Sequence, residues 1–343
     1  MKALITQANK TAKIEVVPVP EIDDDEVLVK VVGVAQNPTD WHHISLFTNV
    51  GTICGCDWSG YVVKTGKNVT SPAVGDHVAS FVFGGMYKDR GAFAEYAKTS
   101  ADLTWKVPEG TLSHEEAATM GGAYWTAVQA LFHPARLGLV EPPKKVDKEE
   151  WILVYGGSGS VGMFAIQLAH LAGYKVVTTA SPRNHALCKE FGADAVFDYK
   201  DPSAIEKIKK LTNNSIRVGL DAISQPDTLK FSVETFGADG GKLLTILPQD
   251  VPGLRSDVKL QLTVIYSSLG REFVYGHMMA FPASEEDRAH MVNFLKKTPE
   301  LVKSGQVKPN PTKLFDGGLE GTEAGLKYMA EGKHSGEKIV YHL

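Results

Sequence analysis

Residues 151–173 read WILVYGGSGSVGMFAIQLAHLAG: a short apolar run, a glycine-rich turn and an amphipathic run, in that order. Trp151 to Tyr155 form an unbroken block of strand formers, the pattern of a strand buried on both faces. Gly157, Gly159 and Gly162 then fall at G-x-G-x-x-G spacing. Between a strand and a helix, the first such glycine permits a tight turn, the second lets the main chain approach a pyrophosphate, and the third lets the helix pack close on the strand. The helix start adds free N–H groups and a partial positive charge, both suited to an anion. The stretch therefore predicts a dinucleotide site.

Downstream, strand and helix signals alternate. Residues 175–180, 195–199, 218–223 and 242–247 read as strands, with helices at 184–191, 203–211 and 228–236 and a last strand at 261–268. Alternation of this kind predicts crossover connections and a doubly wound parallel sheet. NAD calls for an acidic group at the end of the second strand, to accept from the ribose 2′-hydroxyl. Here that place reads Thr178-Thr179-Ala180-Ser181-Pro182-Arg183-Asn184. A hydroxyl, a guanidinium and an amide suit a 2′-phosphate instead, Arg183 above all because its fork donates two charge-assisted bonds. NADPH is the expected cofactor.

Upstream, from Met1 to about Trp125, short strands and turns predict a small β-rich domain. Ser113 and Glu116 form a capping box opening a helix expected to run on through Leu131, and Ser284 opens another to Lys297. Residues 338–343 read as a strand. The chain has 343 residues, 43% hydrophobic and 22% charged, with a formal charge of −4. This suits a soluble enzyme of about two domains and lacks the basic excess of a nucleic-acid binder. No apolar leader segment and no run of ~20 apolar residues occurs, so no membrane span is expected and the cytoplasm is the default location. Cys54, Cys56 and Cys188 make neither a disulfide framework nor a zinc clip.

The adjacent His42 and His43, in a polar, turn-rich stretch, are candidates for acid–base work. Asp40 is placed either to hold a neighbouring side chain or to cap a turn, and Tyr87, Tyr124 and Trp125 either to line a pocket or to fill the core. His133, His170, His277, His290, His334 and His342 have no partner at a zinc spacing.

Together these residues resemble the medium-chain dehydrogenase/reductase superfamily over nearly the whole chain. Gly55-Cys56-Asp57-Trp58-Ser59-Gly60 stands at the G-H-E-x-x-G position, Val74-Gly75-Asp76-His77-Val78 at the V-G-D-x-V turn and Gly91-Ala92-Phe93-Ala94-Glu95-Tyr96 at the G-x-x-A-E-Y strand. Gly332 to Val340 matches the C-terminal signature. The resemblance implies an α/β protein: a GroES-like β-rich catalytic domain of residues 1–126 and 282–343, interrupted by a Rossmann NADPH-binding domain of residues 127–281. The zinc-ligand positions carry Asn37 or Pro38, Cys56 and Gly121-Gly122-Ala123, which cannot supply the three ligands of a catalytic zinc. No metal is therefore expected, and hydride transfer to an acceptor that is already polarised becomes the natural chemistry.

Asn37-Pro38-Thr39-Asp40-Trp41, the proline-rich loop 141–150 and Ser181-Pro182-x-Asn184 are similar to fungal trans-acting enoyl reductases, except that their lysine after N-P-x-D-W is His42 here. The likeness implies His42 as proton donor or oxyanion partner, with Asp40 and Tyr124 as further catalytic candidates. It also implies that Ser158, Gly159, Ser160 and Val161 meet the pyrophosphate and that Ser181, Arg183, Asn184 and Tyr199 meet the 2′-phosphate end. Asn37 and Thr126 fall on the nicotinamide side, and Ile246 and Leu247 at the sheet's carboxyl edge. Trp41 and Ser267, Ser268, Leu269 and Gly270 fall by the substrate. The expected partner is a small activated alkene or acyl thioester, and the expected assembly a monomer or homodimer. A quinone reductase and a non-catalytic NADPH-binding partner protein remain as alternatives.

Overall fold

The computed structural model describes residues 1–276 and 279–343; His277 lies outside them. The chain forms two compact units, Ala123–Ile265 and a unit made of Met1–Gly122 with Tyr266–Leu343.

In Ala123–Ile265 the described residues build a six-stranded sheet, in the order Ala195–Phe197, Lys175–Thr179, Trp151–Tyr155, Val218–Asp221, Gly241–Thr245, Val258–Leu262. Every neighbouring pair is parallel. Sequence order thus reverses between Trp151–Tyr155 and Val218–Asp221, the switch point where doubly wound sheets take their ligands. Strand apolarity explains the arrangement: Leu153, Val177 and Leu243 are wholly buried and pack with Ile208, Leu229, Val233 and Phe236 from the crossover segments. The helices Ser160–Leu171, His185–Glu190, Ala204–Leu211 and Pro226–Glu234 provide those crossovers.

The other unit holds a seven-stranded sheet among its described residues, centred on the long strand Glu26–Ala35. On one side that strand pairs with Asp57–Thr65, and on the other with Tyr96–Ser100 and the C-terminal Lys338–His342, both antiparallel. Val340 lies opposite Ala35 in register. The last residues of the chain are thus woven into the same sheet as the first hundred, around a core of Val29, Val31, Val34, Trp58, Phe93, Ile339 and Tyr341.

Three sequence expectations change. The helix expected to run on from Ser113 is two, His114–Ala118 and Gly122–Phe132. A Cβ on Gly121 would come within 2.3 Å of the Asp57 carboxylate, which takes the Gly122 N–H at 2.6 Å. The strand expected at 261–268 is Val258–Leu262 followed by a 3-10 turn, Ile265–Leu269. Tyr266 leaves the ladder because its ring stacks on Phe83 (3.5 Å between centroids, 9°) and its hydroxyl meets Thr39. Residues 266–276 and 279–281, expected with the nucleotide-binding domain, belong to the β-rich unit, and the first division falls after Gly122 rather than after residue 126.

Leu153, at the centre of the parallel sheet and 0% exposed, gives a test of this core. Leu153→Ala is expected to cost about 2–5 kcal/mol, read as a shift in the urea unfolding midpoint.

Candidate active site

In the β-rich unit the helix Pro38–Ser45 starts at Asn37, whose backbone is extended (φ −123, ψ 158) and whose N–H donates to the Asp40 carboxylate at 2.6 Å. The proline at the first helical position fixes the entry. The Asn37 side chain reaches further partners as well. Its amide nitrogen donates to Asp57 Oδ2 at 2.8 Å, and its oxygen accepts from Lys338 Nζ. Lys338 Nζ also lies 3.2 Å from Asp57 Oδ2, while Asp57 Oδ1 takes the Gly122 N–H. Asn37, Asp40, Asp57 and Lys338 are all buried, Asp57 and Lys338 to 0% and 2% side-chain exposure.

Asp40 Oδ1 has no hydrogen-bond partner, and the carboxyl lies beside the Cys56 thiol. Burial pushes Asp40 up to about 7; the Asn37 N–H pulls the other way, Asp57 adds to the rise and Lys338 opposes it. Burial also pushes the Cys56 thiol far up, so it stays protonated. Thr39 Oγ1 lies 2.6 Å from the Tyr266 hydroxyl.

His42 is half-buried, and its ring meets Trp41 edge-on at 4.0 Å and Phe47 at 6.3 Å. Burial lowers its pKa, which favours the neutral imidazole with one N–H to donate. His43 is buried against Phe83 and Tyr266, and burial lowers it to about 4. Tyr124 is wholly buried in the other unit, edge-on to Phe164 at 5.3 Å, a packing position. Thr126 is buried on the same helix.

The glycine turn keeps its spacing but divides the work differently from the sequence reading. The left-handed residue is Gly156 (φ +82), which the motif leaves out, and its N–H donates to Thr179 Oγ1 at 3.0 Å. A Cβ on Gly157 would come within 2.1 Å of Thr178 Oγ1, and one on Gly162 within 2.2 Å of Gly156 O. Gly159 is the N-cap of Ser160–Leu171, so Ser158, Ser160 and Val161 surround the open helix start. Past the next strand, Ser181 Oγ lies 3.3 Å from the Tyr199 hydroxyl. Arg183 is exposed and makes no ion pair among the described residues, while Asn184 is buried.

At the switch point the buried Asp221 carboxylate takes the Ile223 and Ser224 N–H groups (2.9 and 2.7 Å), and Ser224 Oγ takes the Ile246 N–H at 2.9 Å. Ile246 and Leu247 are thereby held where the strand Gly241–Thr245 ends. Of the residues expected by the substrate, Trp41 is partly buried in the β-rich core. Ser267 is bonded to Asp287, Ser268 is wholly buried, and Gly270 (φ +69) packs on Arg288; Leu269 lines a cavity.

Lys338, Thr39, Tyr266 and Asp221 escaped the sequence reading as site residues. Asp57 was visible there only as part of a motif. Among the described residues no group of three or more His, Cys, Asp or Glu side chains could hold a metal ion, and no helix is long and apolar enough to cross a membrane.

Comparison with known proteins agrees with this division. The alcohol dehydrogenase GroES-like domain family matches residues 23–109, and the zinc-binding dehydrogenase family residues 160–247. A trans-enoyl reductase of Alternaria alternata is 37% identical over 347 residues, 100% of this chain and 98% of its own. The chain belongs to the medium-chain dehydrogenase/reductase family. With Asn37 or Pro38, Cys56 and Gly121-Gly122-Ala123 at the zinc-ligand positions, this family member falls in its zinc-independent branch, whose enoyl reductases use a nicotinamide cofactor. A trans-enoyl reductase of Pyricularia oryzae is 36% identical over 95% of this chain and 92% of its own. Among solved structures, the CurK enoyl reductase superposes with a TM-score of 0.76 at 19% identity, covering 99% of this chain and 98% of its own. A quinone oxidoreductase from Coxiella burnetii does so with a TM-score of 0.72 at 24% identity, covering 100% and 99%; likenesses this distant establish the fold.

Two outcomes test the buried network. Lys338→Met leaves Asp57 buried without its cation and is expected to cost about 3–5 kcal/mol in denaturant unfolding, part of it recovered in the double variant with Asp57→Asn. Asp40 keeps its proton to a higher pH folded than unfolded, so its contribution to stability is full below about pH 4 and is lost as pH rises toward 7. Asp40→Asn, which cannot ionise, is expected to gain at least about 1 kcal/mol on the wild type between pH 5 and 8, read from urea midpoints at each pH.

Proposed function

We propose that the protein reduces an activated carbon–carbon double bond, that of a 2-alkenal, an enone or an enoyl thioester, with NADPH as reductant. The observation that carries this reading is full-length similarity to trans-enoyl reductases in a chain whose zinc-ligand positions are occupied by Asn37 or Pro38, by Cys56 and by Gly121-Gly122-Ala123.

The residues present fit a phosphorylated dinucleotide. The turn at 156–162 leaves no room for side chains on Gly157 and Gly162, so bare main chain lies at the helix start, where N–H groups and the helix dipole favour a pyrophosphate. Ser158, Gly159, Ser160 and Val161 would hold it. At the end of Lys175–Thr179, the exposed guanidinium of Arg183 with the Ser181 and Tyr199 hydroxyls and the Asn184 amide would hold the 2′-phosphate, with Ile246, Leu247 and Thr126 toward the nicotinamide. When bound, the reduced nicotinamide supplies a hydride for the β-carbon of the conjugated alkene, and a proton completes the α-carbon.

The chain's own part is to hold charge and protons. Negative charge grows on the carbonyl oxygen as the alkene is reduced, and the neutral His42 imidazole can donate its N–H to that oxygen without a full positive charge to desolvate. Thr39, in the first turn of the same helix, offers a hydroxyl already bonded to Tyr266. Asp40 acts one step back, by fixing Asn37 and the start of the helix that carries both.

Two measurements test this. NADPH consumption is followed with a 2-alkenal, an enone, an enoyl thioester and a simple quinone. Turnover of the conjugated alkenes is expected, with His42→Ala lowering kcat about a hundredfold or more; turnover of the quinone alone would overturn the alkene assignment. Arg183→Ala is expected to raise the KM for NADPH about tenfold or more while changing that for NADH little, and an equal effect on both would overturn the 2′-phosphate role.

A further inference from the structure

A second group of charges lies in the β-rich unit, apart from Asn37 and its partners. It is built on Glu26, the first residue of the central strand, whose side chain is 4% exposed. Glu26 Oε1 accepts from Arg90 Nη1 at 2.8 Å and from Arg271 Nη2 at 3.4 Å. Its other oxygen accepts from the Asp23 N–H at 3.1 Å and lies 3.9 Å from Lys98 Nζ. Lys98 is itself paired with Asp89 at 2.6 Å, and Asp89 also meets Arg90 at 3.4 Å. Three cations thus surround two carboxylates, with Glu272 exposed at the rim.

The two arginines are not equivalent. Arg90 is one-tenth exposed and well satisfied, and Glu26 pairs fully with it. Arg271 is 42% exposed, and a single long bond to an oxygen already in use occupies one of its five N–H donors. Its position is built rather than incidental. Gly270, just before it, has φ +69, and a Cβ there would come within 2.3 Å of Arg288 Cδ; Arg288 is anchored to Asp102 at 2.7 Å.

Arg90 and Arg271 both line the mouth of a narrow cleft of about 20 Å³, with Tyr87, Thr99, Ser100 and Phe83. Thr99 and Ser100 also border the cleft, and their hydroxyls make no hydrogen bond among the described residues. The charges that bear most on the Tyr87 phenol are Arg271 and then Arg90, ahead of Asp89 and Glu272. The far wall is Phe83, whose ring stacks on Tyr266, the partner of Thr39.

We propose that this cleft is an oxyanion subsite, in which Arg271, with Arg90, Tyr87, Thr99 and Ser100, binds a phosphate or carboxylate group carried by the acceptor molecule. It rests on the alkene-reductase reading only for what the oxyanion is attached to. A planar guanidinium with spare donors beside hydroxyls is the arrangement that receives a tetrahedral or planar oxyanion by paired, charge-assisted bonds. A neutral alkene gains nothing from it.

The test uses the full chain and needs no turnover. Methyl phosphate and butyrate are titrated calorimetrically into the wild type, Arg271→Ala, Arg271→Lys and, because the dinucleotide turn also offers anion donors, Arg183→Ala. Binding of one or both anions is expected, weakened about tenfold or more by Arg271→Ala, less by Arg271→Lys, and unchanged by Arg183→Ala, with thermal unfolding of Arg271→Ala matching the wild type. Preference for methyl phosphate assigns a phosphoester tail, and preference for butyrate a carboxylate tail. The proposal is overturned if neither anion binds, if Arg271→Ala binds as the wild type does, or if only Arg183→Ala loses binding. A protein that binds these anions through Arg271 yet reduces no alkene would fail the preceding reading alone.

Discussion

The β-rich unit depends on one buried cation. Lys338 Nζ is nearly sealed from solvent, between the Asn37 side-chain oxygen and the Asp57 carboxylate. A buried ammonium is tolerated only when its charge is met and its donors are used. Here one carboxylate meets the charge, and that carboxylate is in turn satisfied by Asn37 and the Gly122 N–H. The network ties together the start of the Pro38–Ser45 helix, the strand Asp57–Thr65, the last strand and the break between two helices. Whatever chemistry Thr39 and His42 perform, their helix begins on this anchor.

The same network explains why Asp40 carries its proton so high. With Asn37 turned toward Lys338 and Asp57, the helix start is capped by Asp40, which must then sit beside a protonated thiol with one oxygen unpaired. The nearest cation is already committed to Asp57. One well-matched charge pair is bought at the cost of a second carboxyl that is easier to leave neutral, a division that environment alone imposes on two acids of the same kind.

The nucleotide-binding unit was legible because its signals are local. An apolar block, three glycines and a helix stripe fixed Trp151–Tyr155 to the residue, and the alternation behind it led to a parallel sheet with the ends of every strand but the last correct to within a few positions. Even there, Gly156 bears the left-handed turn, which the G-x-G-x-x-G spacing does not mark. The β-rich unit was less legible, because its decisive contacts join residues hundreds of positions apart. Asn37 and Asp40 could be named from their motif, but the partner of Asn37 lies 301 residues away, in a strand that reads as plain β pattern. Tyr266 was mistaken for strand because period-2 apolarity does not record that a ring finds a better home against Phe83 than in a ladder. The helix break at Gly121 had no visible cause until the Asp57 carboxylate stood beside it.

The chain order of these contacts bears on how the molecule comes into being. Synthesis runs from the N-terminus, and domains fold as units when their residues are complete. Residues 123–265 emerge whole and can close their sheet while the flanking unit still lacks Lys338–His342. Until that strand arrives, residues 33–35 at the end of the central strand lack a partner on that edge and Asp57 has no counter-ion. The nascent chain therefore carries a closed nucleotide fold beside a unit that the strand Lys338–His342 has still to complete.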